Sequence, residues 1–245
     1  PPFTGQINHA AQIQRVEARL EKLAPAVQPA GIKAAEQFCE TAVAAAPDDP
    51  LLREQLTELD QDSGDLAGAL TNAQRAVELL PSSSEDWFQL GLILVRQRQF
   101  EEAIVDFRRA FALDSENVWA LQNLAQSLVE LGRRDEAIRE FRRALAIKPR
   151  FGLAWLGLGQ ALEAMGQKTE AEDCYHQALA NPVNQAAELT TLARFCASRG
   201  WVAAAATNFD RAIRLDPLDL KLYIEAAQNF AAGGNHVEAE RLYAE

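Results

Sequence analysis

Histidine and cysteine side chains are the groups from which metal binding or nucleophilic catalysis would be built, and this chain has three of each. The histidines lie far apart, without the spacing of metal ligands: His9, His176 and His236. The cysteines are odd in number and widely spaced, which predicts neither a disulfide framework nor a zinc site: Cys39, Cys174 and Cys196. Cys39 and Cys196 are interpreted as small core residues, whereas Cys174 could be half exposed. No phosphate-binding loop or nucleophile motif occurs, so we expect no catalytic residue, no metal and no cofactor.

The composition describes an acidic chain of 245 residues with a formal net charge of −11 and 48% hydrophobic residues. Because the strand-forming residues Val, Ile, Thr and Tyr are sparse beside Ala, we expect an all-α fold. An acidic surface repels phosphate groups, so we expect neither nucleic acid nor a membrane surface as a partner. No apolar run approaches the ~18 residues that a membrane span needs.

The two ends of the sequence resemble internal positions of a longer protein. The chain begins at Pro1 without an initiator Met or a signal peptide, and it stops within a helical pattern at Glu245. We therefore expect both ends to continue into a longer protein. The compartment stays unknown, with the cytoplasm slightly favoured.

Positions that lie 34 residues apart carry the same residue types along most of the chain. One column is alanine throughout: Ala69, Ala103, Ala137, Ala171, Ala205 and Ala239. The column four residues later is mainly aromatic: Ala73, Phe107, Phe141, Tyr175, Phe209 and Tyr243. Upstream, a large residue, a Leu and a small residue share one helix face, as in Trp87, Leu90 and Gly91. The pattern predicts pairs of helices from about residue 51 onward, without strands, broken near Gly64, Arg98, Gly132, Gly166, Gly200 and Gly234.

These columns resemble the tetratricopeptide repeat, whose 34-residue pattern places Trp, Leu-Gly, Tyr, Ala, Phe, Ala and Pro at fixed positions. The resemblance implies an all-α, right-handed superhelical solenoid of helix-turn-helix repeats. Residues 50–245 are the predicted array, with repeats starting at 50, 84, 118, 152, 186 and 220, the last one truncated. Residues 16–49 are predicted to be a degenerate helix pair of the same type, and residues 1–15 an N-terminal arm.

The resemblance also implies a class of function. In the family, first helices line a concave groove that holds proteins or peptides, and second helices form the convex back. The carboxylate clamp of chaperone-binding members is absent, because only Asn123 matches it. Apolar or glycine residues stand at its other places: Phe88, Leu92, Leu153 and Gly157.

The face of each first helix opposite its packing columns is the predicted peptide-binding surface. Apolar side chains ringed by amides occupy this face in three consecutive repeats: Phe88, Gln89, Leu92, Trp119, Gln122, Asn123, Gln126, Leu153, Leu156 and Gln160. Such anchors provide pockets for side chains, and the amides can bond a peptide backbone. In the alternative, adjacent repeats cover Trp119 and Leu153, and only Phe88 and Leu92 stay open. An amide column partly matches a family ladder that grips peptides, although coincidental surface polarity is favoured: Gln55, Gln89 and Asn123.

The sequence therefore predicts a non-catalytic protein–protein interaction scaffold that binds a partner peptide or helix in the concave groove. The alternative is an arm of a larger enzyme of bacterial type, serving substrate presentation or assembly. Self-association through the truncated repeat 220–245 is a third possibility. Residues 118–151 carry a net charge of +3, which predicts a solvated convex face or, alternatively, a docking stripe for an acidic partner.

Overall fold

A computed structural model describes residues 37–39, 41–181, 185–217, 219–234, 239 and 242. The predicted arm 1–15 and most of the degenerate pair 16–49 lie outside the described residues, as do His9, His236 and Tyr243. The chain divides into an N-terminal body, Pro1–Gln99, and a C-terminal body, Phe100–Glu245.

Helices account for the regular structure in the described residues, and no strand occurs among them. The N-terminal body contains α1 (Pro50–Ser63), α2 (Leu66–Leu79) and α3 (Ser84–Arg96). The C-terminal body contains α4 (Phe100–Leu113), α5 (Val118–Glu130), α6 (Arg134–Ile147), α7 (Gly152–Ala164), α8 (Lys168–Ala180), α9 (Ala186–Ser198), α10 (Val202–Leu215) and α11 (Leu220–Ala232). A further helical stretch covers 37–39 and 41–45. The predicted all-α fold is confirmed. Within the described ranges, no helix combines the length and apolarity that a membrane crossing requires.

Polar side chains cap the first helices of three repeats. α1, α3, α5, α7, α9 and α11 begin at residues 50, 84, 118, 152, 186 and 220, a spacing of 34 residues. The carboxylate of Asp49 accepts a hydrogen bond from the N–H of Leu51, and Pro50 occupies the first turn, where its missing N–H costs nothing. Ser83 and Asn117 cap α3 and α5 in the same way.

The turn between the helices of a pair contains a residue with a left-handed backbone, at each predicted break. Five of these residues are glycines with φ between 71° and 86°: Gly64, Gly132, Gly166, Gly200 and Gly234. The sixth is Arg98, with φ of 62°, at the same position of its repeat. Because a side chain disfavours this conformation, Arg98 is a local exception that a glycine would fit better.

A hydrogen bond to a proline carbonyl closes several of the joints between repeats. In each case, a first-helix side chain donates to the carbonyl oxygen of the proline six residues earlier. The pairs are Arg53–Pro47, Trp87–Pro81, Trp155–Pro149 and Tyr223–Pro217, at 2.8 to 3.4 Å. Arg53, which interrupts the apolar column in the sequence, therefore contributes the same donor as the aromatic residues.

The core of the N-terminal body starts before α1. Cys39, Val43 and Leu56 form a buried cluster, as expected for a small core residue at position 39. Beside it, Arg53 donates from Nη1 to Asn72 Oδ1 at 2.7 Å, and Asn72 Nδ2 donates to Asp60 Oδ2 at 2.9 Å. These bonds join α1 to α2 and satisfy the buried polar groups of both helices.

The core of the C-terminal body repeats one arrangement of small and aromatic residues. Its alanine column is at most 1% exposed: Ala103, Ala137, Ala171 and Ala205. Its aromatic column is at most 3% exposed: Phe107, Phe141, Tyr175 and Phe209. A Cβ on Gly157 would lie 2.4 Å from Cζ of Phe141, so the missing side chain allows α7 to approach that ring.

Candidate functional site

First helices of three consecutive repeats line a cleft in the C-terminal body. α7 contacts α5 on one side and α9 on the other. The cleft has a volume of about 500 Å³. Its lining residues are Gln122, Gln126, Leu153, Leu156, Gly157, Gln160, Thr191, Arg194, Phe195 and Ser198. We call this surface the first-helix cleft.

Half of the predicted peptide-binding residues line the first-helix cleft. These five are Gln122, Gln126, Leu153, Leu156 and Gln160. Leu156 is only 4% exposed and belongs to the floor, whereas Leu153 is half-buried and Gln160 is exposed. Gly157 also lines the cleft, and its missing side chain leaves room for the buried Phe141 ring on the core side of α7.

Trp119 and Asn123 lie on α5 outside the lining of the cleft. The Trp119 indole is half-buried and packs edge-on against Phe151, with 4.7 Å between ring centroids and 73° between planes. Asn123 Nδ2 donates to the carbonyl oxygen of Trp119 at 2.9 Å. The indole is therefore neither fully buried nor open, and the amide of Asn123 bonds within its own helix.

Phe88, Gln89 and Leu92 lie on α3 and belong to the N-terminal body. All three side chains are half-buried. Gln89 Nε2 donates to Glu85 Oε1 at 2.7 Å, one turn away on the same helix. Gln89 and Asn123 thus both donate to a group one turn away on their own helix. Two of the three residues in the amide column predicted from the sequence therefore already have a hydrogen-bond partner.

A different column of the first helices carries polar groups across the C-terminal body. Its members are 34 residues apart: Gln126, Gln160, Arg194 and Gln228. The sequence analysis missed Arg194 and Gln228, together with Thr191, Phe195 and Ser198 on α9. The 34-residue step from Gln126 and Gln160 was the available signal, since equal repeat positions lie on equal faces of their helices.

Arg194 is the charged residue of the first-helix cleft. Its Nε and Nη2 donate to the two carboxylate oxygens of Glu225 on α11, both at 2.7 Å. These bonds, followed by the charge of Asp219, raise the pKa of the guanidinium, which stays a fixed cation. The Arg194 side chain is nevertheless 59% exposed.

The N-terminal body has a smaller, acidic cavity between α1, α2 and α3. Four carboxylates line it: Glu54, Glu58, Glu85 and Asp86. Burial, together with the charge and hydrogen bond of Asp86, raises the pKa of Glu54 to about 7. A carboxyl in such surroundings holds a proton near neutral pH. Four carboxylates line this cavity, whereas none lines the first-helix cleft.

The cysteines have the environments of core residues. Cys39, Cys174 and Cys196 are all buried, and burial raises the pKa of each thiol. The expectation that Cys174 is half exposed is wrong: it is 5% exposed, and Leu145 of α6 and Leu158 of α7 line the same cleft. In the part of the chain that the structure describes, His, Cys, Asp and Glu side chains form no group of three or more that could hold a metal ion.

Four basic residues on and beside α6 form ion pairs with carboxylates. Arg133 and Arg108 both pair with Glu136, Arg143 pairs with Glu140, and Arg142 reaches Glu170 of α8. This arrangement agrees with a solvated face stabilised by helix pairing, in which exposed ion pairs contribute little to stability. A docking stripe for an acidic partner stays a prediction.

Comparison with protein families identifies the repeats. A model described as tetratricopeptide repeat matches residues 58–117 and 123–187, which is more than half of the chain. A second model with the same description matches residues 94–149. The chain belongs to the tetratricopeptide repeat family. No curated protein sequence matches this tetratricopeptide repeat chain significantly.

Several solved structures are similar to this tetratricopeptide repeat chain. A crystal structure of MamA has a TM-score of 0.59 at 25% identity, covering 62% of this chain and 89% of MamA. TTC0263, a thermophilic repeat protein of Thermus thermophilus, has a TM-score of 0.60 at 21% identity, covering 75% of this chain and all of the other. YrrB, described as a repeat protein with an unusual peptide-binding site, has a TM-score of 0.51 at 21% identity, covering 75% and 95%. The similarity to TTC0263 and YrrB supports the repeat fold.

Proposed function

We propose that this chain is a non-catalytic protein-interaction scaffold that holds a segment of a partner protein in the first-helix cleft. Tetratricopeptide repeats are typically scaffolds of this kind, and the cleft supplies the specific support. The observation that carries the proposal is an apolar floor of Leu156 and Phe195 beneath a rim of amides and hydroxyls. The floor suits an apolar side chain, and the rim suits the amide groups of a peptide backbone.

The proposal covers an extended or a helical segment. Gln122 and Gln160 each carry both a donor and an acceptor, so they can bond either group of a peptide backbone. The Nε2 of Gln126 donates to Glu130 Oε1 at 3.4 Å, which leaves its carbonyl oxygen as the acceptor for a peptide N–H. Among the side chains that line this cleft there is no carboxylate, although the whole chain has 35 acidic residues. A partner segment therefore meets little electrostatic repulsion here. YrrB, whose description mentions a peptide-binding site, is a protein of similar fold.

The predicted peptide-binding residues that do not line the cleft are proposed to make additional contacts. Trp119 and Asn123 lie beside the cleft on α5, where the exposed part of the indole can extend the apolar contact. Phe88, Gln89 and Leu92 are proposed as a separate contact patch of the N-terminal body. Gln89 lines the acidic cavity of the N-terminal body, whereas Phe88 and Leu92 are not among its lining residues and provide a half-buried apolar surface.

The test begins with a defined ligand source. The full chain is immobilised and used to select from a library of random 12-residue peptides displayed on phage, and enriched peptides are synthesised with a fluorophore. Their affinity is then measured by fluorescence anisotropy. Two cleft variants, Leu153→Asn and Gln160→Ala, remove an apolar anchor and an amide.

Matched controls carry the same changes outside the cleft. Val105→Asn removes a 62% exposed apolar side chain of α4, and Gln177→Ala removes an exposed amide of α8. We expect the cleft variants to weaken binding by about tenfold, as for an interface anchor, and the controls by less than about twofold. Equal effects in both sets, or no enriched peptide at all, would contradict the proposal.

A further inference from the structure

The first-helix cleft has one feature that an uncharged peptide groove does not need. In the column formed by Gln126, Gln160, Arg194 and Gln228, a guanidinium replaces an amide at the third place. An amide offers two donors, whereas a guanidinium offers five in a planar fork that matches a carboxylate. The replacement puts a donor that can bond an anionic group at this place of the cleft.

Glu225 fixes the direction of this fork. It occupies the edge formed by Nε and Nη2, with both bonds at 2.7 Å. Nη1 makes no hydrogen bond within the described parts of the chain, so the second edge, formed by Nη1 and Nη2, remains available. Arg194 also borders a neighbouring cleft lined by Glu225 and Gln228, which places the guanidinium at an open boundary rather than inside the core.

We infer that the first-helix cleft binds a peptide with an acidic side chain, and that Arg194 receives its carboxylate on the Nη1–Nη2 edge. The inference rests on the proposed function and specifies the chemistry of its partner. The apolar floor of Leu156 and Phe195 takes an apolar side chain of the same peptide. The expected ligand therefore combines an apolar residue with an Asp or a Glu.

The charges around Arg194 support an exchangeable contact. No carboxylate belongs to the cleft lining itself, but Glu225, which bonds Arg194, and Asp219 act on the guanidinium and weaken its attraction for a second carboxylate. A ligand carboxylate shares the cation with Glu225. Because the Arg194 side chain is largely exposed, we expect the added bond to be sensitive to salt.

The experiment is a double-mutant cycle between chain and peptide. An enriched peptide from the phage library is synthesised with each acidic residue in turn replaced by its amide. Both versions are measured against the full wild-type chain and Arg194→Gln. We expect loss of the critical carboxylate and loss of the guanidinium each to weaken binding by about tenfold, with little further loss when both are absent.

Controls separate the role of Arg194 from general charge. Arg139→Gln removes an exposed arginine of α6 outside the cleft and should leave affinity unchanged. Arg194→Lys keeps the charge without the planar fork and should recover only part of the binding. Circular dichroism melting curves check that each variant keeps the fold.

The outcomes distinguish the inference from the proposed function. If Leu153→Asn weakens binding about tenfold while Arg194→Gln and the peptide amides do not change it, the inference is wrong and the cleft still binds peptides. If Leu153→Asn also has no effect, the proposed function fails with it. Equal weakening by Arg139→Gln and Arg194→Gln would likewise overturn the inference, since it would show a nonspecific charge effect.

Discussion

At the scale of single residues, a buried ionisable side chain makes the stability of the fold depend on pH. One position of the second helices carries a buried polar residue in three repeats: Asn72, Asp106 and Asn208. Each is 7% exposed, but only Asp106 can carry a charge. Burial, followed by the charge of Glu102, raises the pKa of Asp106 to about 6.

We predict that Asp106→Asn stabilises the chain above pH 6. The pKa of an unfolded Asp is about 4, so ionisation of Asp106 in the fold costs stability as pH rises from 4 through 6. Below pH 4 the two proteins should unfold alike, and at pH 8 the variant should be more stable by about 2 kcal/mol. Urea denaturation across this pH range measures the difference, with exposed Glu101→Gln on the same helix as control. A difference that does not vary with pH would contradict the assignment.

The left-handed turns provide a second prediction at single residues. Substitutions at two equivalent positions, 98 and 132, should change the unfolding free energy in opposite directions. Gly132 has φ of 74° and open space where a Cβ would lie, so Gly132→Ala should cost about 1 kcal/mol through the backbone alone. Arg98 has φ of 62°, so Arg98→Gly should gain about 1 kcal/mol. Chemical denaturation measures both, and shifts of the same sign would show that side-chain contacts, rather than φ, dominate these turns.

At the scale of secondary-structure elements, four of the joints between repeats contain a hydrogen-bond donor at the tip of a first-helix side chain. Trp155 Nε1 donates to Pro149 O at 2.8 Å, and the same bond recurs with Arg, Trp or Tyr as donor. The bond fixes where the first helix starts relative to the preceding second helix. Proline contributes a carbonyl acceptor and a restricted backbone at the same place.

We predict that Trp155→Phe loses about 1 kcal/mol of unfolding free energy beyond the effect of the smaller ring, because the Pro149 carbonyl loses its donor. Trp201→Phe is the matched control, since the Trp201 ring makes T-shaped contacts with Tyr175 and Phe195 that a phenyl ring can retain. Thermal melting compares the two variants. Equal destabilisation would indicate that the indole at position 155 acts through its size.

At the scale of the whole molecule, stability in a repeat protein is shared between neighbouring repeats rather than held in one centre. In the C-terminal body, successive repeats each contribute one buried aromatic residue to the core, as Phe107, Phe141 and Phe209 do. A cavity in one repeat should therefore lower the local stability mainly of the helices that pack against that repeat.

We predict that Phe209→Ala, which empties a site 2% exposed, costs about 3–5 kcal/mol locally. Hydrogen exchange measured by mass spectrometry should become faster in α9, α10 and α11, while α1, α2 and α3 keep the wild-type rates. Val105→Ala, at an exposed position of α4, should leave the exchange pattern unchanged. Uniformly faster exchange along the chain would show a single cooperative unit instead.

The sequence alone was sufficient to predict the class of fold and the positions of the turns. The alanine and aromatic columns recur every 34 residues, because each repeat must bury the same narrow face against its neighbours. Glycine marks five of the six left-handed turns, since a residue without Cβ adopts that backbone most readily. Even Arg98, which breaks the glycine pattern, was placed correctly by the period.

Only the tertiary structure decided which groove residues come together. Gln89 and Asn123 looked available in the sequence, but each bonds a group one turn away on its own helix. The sequence analysis did not consider Arg194, whose guanidinium is bonded along one edge by Glu225 of α11. A period locates the face on which a side chain lies, whereas its hydrogen-bond partners depend on helices distant in sequence. For that physical reason the repeat pattern predicted the first-helix face, and the packing of α5, α7, α9 and α11 defined its chemistry.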